Sequence, residues 1–305
     1  MEFIRPNAEI WEQGNTLEDM WKHIARCTRV CYQSTPKENG ETDEEFVKRV
    51  ILRNITNGDL DWNKIHGAML EHGTVYLIAP KPSSFTSCYV ASKYSKVVIY
   101  KDKSYITTNL RVIYENGLLD DLKYICAPTE YHAKRVTVSF TTNIGVSREF
   151  NRHRVNSIAE ESTRYCNYHL DKFKNGITFA LPSWIDINET EIQACRTAEV
   201  ESDMYADMRI NKELSDNWNT IDWYLYALST SALAYKNLIQ LGWKPQQARE
   251  VLPLATKTQL IHTAFIDDWK HFFALRADGV SGPVHPNAKL IAAPLKEEFI
   301  KRNLI

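Results

Sequence analysis

The sequence predicts an α+β fold, because helical periodicity marks both ends, strand-like alternation marks the middle, and no internal repeat links them. The 305 residues are 44% hydrophobic and 25% charged, an ordinary globular balance with ample core. A formal net charge of -1 gives the chain as a whole no bias toward nucleic acid.

The elements follow in order. Residues 16–34 carry an apolar stripe at Leu17, Met20, Trp21, Ile24, Cys27 and Cys31, which predicts a helix. Thr16 is its N-cap, with Asp19 three residues on. A second helix is expected over Asp43–Asn54, stopped by Gly58 and Asp59, and a third over Trp62–Leu70, closed by His72-Gly73. Thr74–Ala79 reads as a strand, punctuated by Pro80 and Pro82. Lys96–Tyr100 and Tyr105–Leu110 flank a polar turn and predict a hairpin, followed by a short helix over Leu118–Cys126. Arg135–Ile144 alternates Val136, Val138 and Phe140 against Thr137, Ser139 and Thr141, the period of a half-buried strand. Ile221–Leu241 is a long amphipathic helix with Tyr224, Leu225, Leu228, Leu233 and Leu238 on one face, ended by Gly242. Trp218, Trp223 and Trp243 are expected to line its core. Pro245 opens another helix and Pro253 ends it. Leu254–Phe265 reads as a strand, and Asp267 as the cap of a helix running to Arg276. The whole reads as one domain, 1–305, with a β-rich insertion at about 80–130.

No run approaches the roughly 20 apolar residues of a membrane span. Met1-Glu2-Phe3-Ile4-Arg5-Pro6 lacks the apolar segment of a secretory signal, so a cytoplasmic location with no membrane partner is expected. Six cysteines form no CxxC pair, and Cys27 and Cys31 read as core thiols kept reduced. His66 and His72, like His262 and His271, lack zinc-helix spacing. No metal is expected, and no P-loop or GxGxxG occurs.

The residues that carry chemistry cluster at 148–164. Arg148, Arg152, His153, Arg154 and Arg164 lie beside Glu149, Glu160, Glu161, Ser157 and Ser162. A helical turn at 147–154 would put Arg148 and Arg152 on one face. Guanidiniums bind phosphate in bidentate fashion, and Ser162 with Arg164 could clamp one phosphate, so a nucleotide is the natural guest. The bland alternative is a surface on which the glutamates answer the arginines. A third is single-stranded nucleic-acid binding, against which the interleaved glutamates count.

Arg152-His153-Arg154-x-x-Ser157-x4-Ser162-x-Arg164 resembles the RHRxxSxxxxSxR signature of the flavin-dependent thymidylate synthases. Arg29-Val30-Cys31-Tyr32, Arg249-x-Val251-Leu252-Pro253-Leu254 and Phe272-x-x-Leu275-Arg276 resemble further family segments in the same order. The resemblance covers about 20–34, 66–79, 136–168 and 220–300. It implies a thymidylate synthase-complementing-protein-like fold with a central mixed sheet packed by helices, and reductive methylation of dUMP to dTMP. FAD would be the cofactor, NADPH and methylenetetrahydrofolate the co-substrates, and a homotetramer with shared active sites the assembly. It places Arg152, His153, Arg154, Glu160, Thr74 and His271 at the flavin. Arg148, Glu149, Glu160, Glu161, Ser162, Arg164, Arg249 and Arg276 fall at the nucleotide, with Arg276 and Ser162 in catalytic roles. A cation near the uracil oxygens would stabilise charge as carbon 5 becomes nucleophilic. No cysteine has the Pro-Cys-His context of conventional thymidylate synthases. The chain departs from the family pattern at Ala159, Leu77, Phe265 and Asp267, and His271 stands for the usual Asn. The flavin half of the site therefore departs more than the nucleotide half. This raises the alternative of a divergent homologue that keeps a deoxyuridine nucleotide but binds flavin weakly or does altered one-carbon chemistry.

Overall fold

In the computed structural model, residues 1–36, 40–52, 65–80, 84–173, 176–185 and 218–305 are described. The stop at Gly58 and Asp59, the start of a helix at Trp62, and Pro82 lie outside them. The α+β class is as expected. Its centre is a four-stranded sheet in the order β2 (Asn7–Trp11), β6 (Arg135–Asn143), β9 (Lys257–Phe265), β7 (Ser157–Glu160). The sheet expected to be mixed is antiparallel at every pairing. Parallel pairing is confined to a small ladder between β1 (Glu2–Ile4) and β8 (Thr178–Ala180).

β6 pairs with β9 along its full length, from Arg135 opposite Phe265 to Asn143 opposite Lys257. One face of β6 carries Val138 and Phe140 into a core with Trp269, Phe272 and Phe299. Its polar face was expected in water and is instead buried, with Thr137 and Ser139 3–5% exposed. Helix α1 (Leu17–Tyr32) covers it. Burial is tolerable because the hydroxyls are paired: His23 Nε2 lies 3.0 Å from Thr137 Oγ1, which lies 2.7 Å from Thr263 Oγ1, which lies 2.8 Å from His72 Nδ1.

Thr16 caps α1 as expected, in a capping box with Asp19. Its buried side meets α2 (Asp43–Val50) and a second sheet ordered β3 (Thr74–Pro80), β5 (Lys103–Asn109), β4 (Lys96–Tyr100). The expected hairpin at 96–110 is thus the outer pair of this sheet, turning at Lys101, whose φ is 52°. Two short helices, α3 (Ser84–Ala91) and α4 (Leu110–Glu115), flank the hairpin, and the expected 118–126 helix is a 3-10 segment at Leu119–Tyr124. The short strands β1, β2, β7 and β8 were not legible, since three to five residues carry too little periodicity.

The long C-terminal helix, α6 (Thr220–Gln240), has an Asn219–Asp222 capping box and ends before Gly242, whose φ of 97° suits glycine. Trp223 and Trp243 do not line its core. They are 50% and 46% exposed, and Trp223 packs edge-on against Trp218. The face that Leu228 and Tyr235 bury rests on Phe3, Tyr168 and Phe179. After α7 (Pro245–Ala248) and β9 come α8 (Ile266–Phe273), a π-helical turn at Ala274–Asp278, and α9 (Pro286–Lys301). Asp267 does not cap α8. The N-cap is Phe265, and the Asp267 carboxylate instead takes Lys96 Nζ at 2.7 Å. No helix among the described residues is long and apolar enough to cross a membrane.

Candidate active site

Helix α5 (Ile144–Phe150) follows β6 directly, its first turn capped by Asn143 Oδ1, which accepts from Val146 N at 2.8 Å. Its end sends neighbouring side chains in two directions: Glu149 lines one cleft and Arg148 another.

The larger cleft, about 840 Å³, holds Arg152, His153, Arg154, His271 and Arg276 above the loop 281–285. Arg276 projects from the π turn, and three of its five N–H donors are engaged. Nη1 lies 3.1 Å from Glu149 Oε2, Nη2 donates to the Glu149 carbonyl at 2.8 Å, and Nε donates to His153 Nε2 at 3.2 Å. An arginine Nε–H can only donate, so His153 Nε2 is the lone-pair nitrogen and the ring's proton sits on Nδ1. Burial, then the Arg276 charge, then His271, hold the His153 pKa down at about 4, so the ring is neutral near pH 7. Burial also lowers the Arg276 guanidinium from its ordinary value, with Glu149 opposing the shift.

The smaller cleft, about 330 Å³, brings together Arg148, Glu160, Glu161, Ser162 and Arg249. Glu160 is oriented by Asn151 Nδ2 at 2.8 Å and Thr258 Oγ1 at 3.2 Å. Glu161 is enclosed, with Lys257 Nζ 2.6 Å from one oxygen and the Tyr168 hydroxyl donating to the other at 3.1 Å. Arg164 stands outside this lining, over the Tyr165 ring, with its Nε 3.3 Å from Gln246 Oε1. The clamp of Ser162 with Arg164 is therefore not closed within one chain.

The glutamates do not answer the arginines of the motif. Glu160 serves an amide and a hydroxyl, Glu161 serves a lysine, and Glu149 serves Arg276, which lies outside the motif. Arg148, Arg152 and Arg154 have no hydrogen-bond or ion-pair partner among the described residues. Exposed guanidiniums left open in this way are equipped for an external anion.

Thr74 faces neither cleft. It is buried, and its Oγ1 accepts from Arg135 Nη1 at 3.2 Å. Arg135 also donates through Nη2 to the buried Ser157 at 3.1 Å and through both Nη groups to the Glu71 carbonyl. Its enclosure lowers its pKa to about 10. Nothing in the alternating strand around position 135 signals an enclosed guanidinium. Asn151, Lys257 and Tyr168 were missed for the same reason: only tertiary contacts single them out. The four departing positions are built into the protein. Ala159 and Leu77 are core, Phe265 lies under the Lys96 and Arg135 cations, and Asp267 holds Lys96.

A family model described as thymidylate synthase complementing protein matches residues 128–299. A flavin-dependent thymidylate synthase of Thermosipho melanesiensis is 29% identical over 144 residues, 47% of this chain and 54% of that protein. One of Pyrococcus furiosus is 29% identical over 125 residues, 41% of this chain and 38% of that protein. The chain thus spans about half the length, or less, of the curated relatives it matches. Among solved structures, a UMP/dUMP methylase PolB from Streptomyces cacaoi bound with 5-Br UMP overlaps 99% of this chain and 92% of its own. Identity there is 15% and the TM-score 0.42.

Proposed function

We propose, from the premise that this chain belongs to the thymidylate synthase complementing protein family, that it is a flavin-dependent thymidylate synthase converting dUMP to dTMP. The observation that carries this reading is that the guanidiniums of Arg148, Arg152 and Arg154 open into two clefts and have no side-chain partners among the described residues.

In this reading Ser162, Arg148 and Arg249 take the nucleotide phosphate, Arg164 joins them, and Glu160 and Glu161 set the polar wall of the pocket. Arg276 presents its cation to the uracil oxygens and stabilises charge as carbon 5 becomes nucleophilic, with Glu149 holding it in place. Ser162 and Arg276 line different clefts of one chain. In this reading the two clefts of neighbouring subunits face each other to complete the site, in the homotetramer that the family resemblance implies.

The larger cleft fits a flavin: its volume suits a cofactor, and Arg152, His153, Arg154 and His271 offer it cations and fixed ring donors. Thr74 does not fit, because Arg135 occupies its hydroxyl, and Glu160 reaches the flavin only from the smaller cleft. When bound, FAD supplies the reducing equivalents, with methylenetetrahydrofolate as carbon donor and NADPH as reductant. The test is dTMP formation from dUMP with these three present. Flavin-loaded protein that makes no dTMP would exclude the activity.

The commitment of Thr74 to Arg135 and of Asp267 to Lys96 favours a second reading, a homologue that keeps the nucleotide but holds flavin weakly. The visible absorbance of reconstituted protein separates the two. A stoichiometric flavin band supports the first, and a colourless protein that still binds dUMP supports the second.

A further inference from the structure

A third cleft, of about 730 Å³, lies where the last turns of α1 meet β2, β9 and the segment around Lys172. It shares no lining residue with the other two clefts or with the Arg152–Arg164 run. Its charged lining is Arg26, Arg29, Lys172 and Lys257 against the single carboxylate Glu2. Pockets for apolar ligands are lined mainly by hydrophobic side chains, and this one is lined mainly by charged and amide groups.

Two of the four cations are committed. Lys257 pairs with Glu161 at 2.6 Å, and Lys172 Nζ donates to the Tyr32 and Gln33 carbonyls at 3.1 Å each. The arginines keep donors in reserve. Arg29 holds Asp43 through Nη1 at 2.7 Å and lies over the Phe46 ring, and its Nε has no acceptor among the described residues. Arg26 lies over the Trp11 ring, 3.6 Å from its centroid, and comes no nearer than 4.0 Å to Glu9. The two arginines sit three residues apart on α1, so they are neighbours on one face and repel unless an anion lies between them. The cleft also offers a flat surface, the guanidinium of Arg26 stacked on Trp11, and an amide pair, Gln33 Nε2 to Gln259 Oε1 at 3.2 Å.

We propose that this cleft is a separate binding site for a nucleoside polyphosphate, with phosphate oxygens on Arg26 and Arg29 and the base against the Arg26–Trp11 stack. It does not rest on the thymidylate synthase reading, because the ligand is placed on Arg26, Arg29 and Trp11, which line neither of the other two clefts, while Lys257 at its edge is committed to Glu161 of the small cleft.

Calorimetric titration of the full chain with ATP and with inorganic pyrophosphate tests it. Both should bind, in competition, and Arg26→Gln or Arg29→Gln should weaken each at least tenfold. Lys101→Gln, an exposed cation at the hairpin turn outside all three clefts, should leave both unchanged. Should Arg29→Gln fail to fold through loss of the Asp43 pair, Arg26→Gln decides alone, being on an exposed side chain. The proposal is overturned by no binding at millimolar ligand, by unchanged affinity in Arg26→Gln, or by affinity lost with Lys101→Gln. Glutarate binding as tightly as pyrophosphate also overturns it, since the site would then take dicarboxylates.

Discussion

Arg276 and His153 set each other's chemistry through one 3.2 Å contact. The arginine can only donate, so protonating His153 would break the hydrogen bond and place two cations together. Removing the arginine should therefore raise the His153 pKa from about 4 toward the ordinary 6.5. Ring-proton NMR titration of Arg276→Ala checks this, and an unmoved pKa would show that burial alone sets the value. Burial also holds His23 at about 4 and His262 at about 3, both neutral when folded. Each is depressed below its unfolded value, so its contribution is complete above pH 6.5 and is lost as pH falls toward 4. About 1–2 kcal/mol should be lost for each of these two rings between pH 7 and 5. Thermal melts across that range give the measurement, and a flat Tm would contradict the buried neutral state. Neither effect is legible in the sequence, because a histidine's neighbours across the sheet come from distant positions.

At the scale of elements, the hairpin β4–β5 reaches the start of α8 through Lys96 and Asp267. Their side chains are 38% and 71% exposed, so solvent screens the pair despite its 2.7 Å separation. A double-mutant cycle with Lys96→Ala and Asp267→Ala should give a coupling of about 0.2–1 kcal/mol. If Asp267 were the helix cap that its position suggested, Asp267→Ala would instead cost about 1 kcal/mol with or without Lys96. The capping box of α1 was legible because Thr16 and Asp19 lie three residues apart in the chain. The role of Asp267 was not, since its partner lies 171 positions away.

For the whole molecule, the sheet depends on two unlike layers. On one side Phe140, Trp269, Phe272 and Phe299 pack as a dry aromatic core, and Trp269 Nε1 donates to the Val136 carbonyl at 3.0 Å. Trp269→Ala should cost about 3–5 kcal/mol, measured by urea unfolding, and a loss below about 1 kcal/mol would contradict this packing. On the other side α1 closes a polar layer in which Thr137, Thr263, His23 and the His72 Nδ1 are linked in one chain of contacts. Periodicity along the chain determined the α+β class, helices α1 and α6 and strands β3, β6 and β9, and the fixed spacing of its motif made the Arg152–Arg164 run legible, because those signals lie between near neighbours. Tertiary structure alone decided that β6 is covered on both faces, that Thr74 and Ser157 serve Arg135, and that the motif divides between two clefts. Those outcomes depend on which side chains the sheet register and helix packing bring together from distant positions, and no local pattern encodes them.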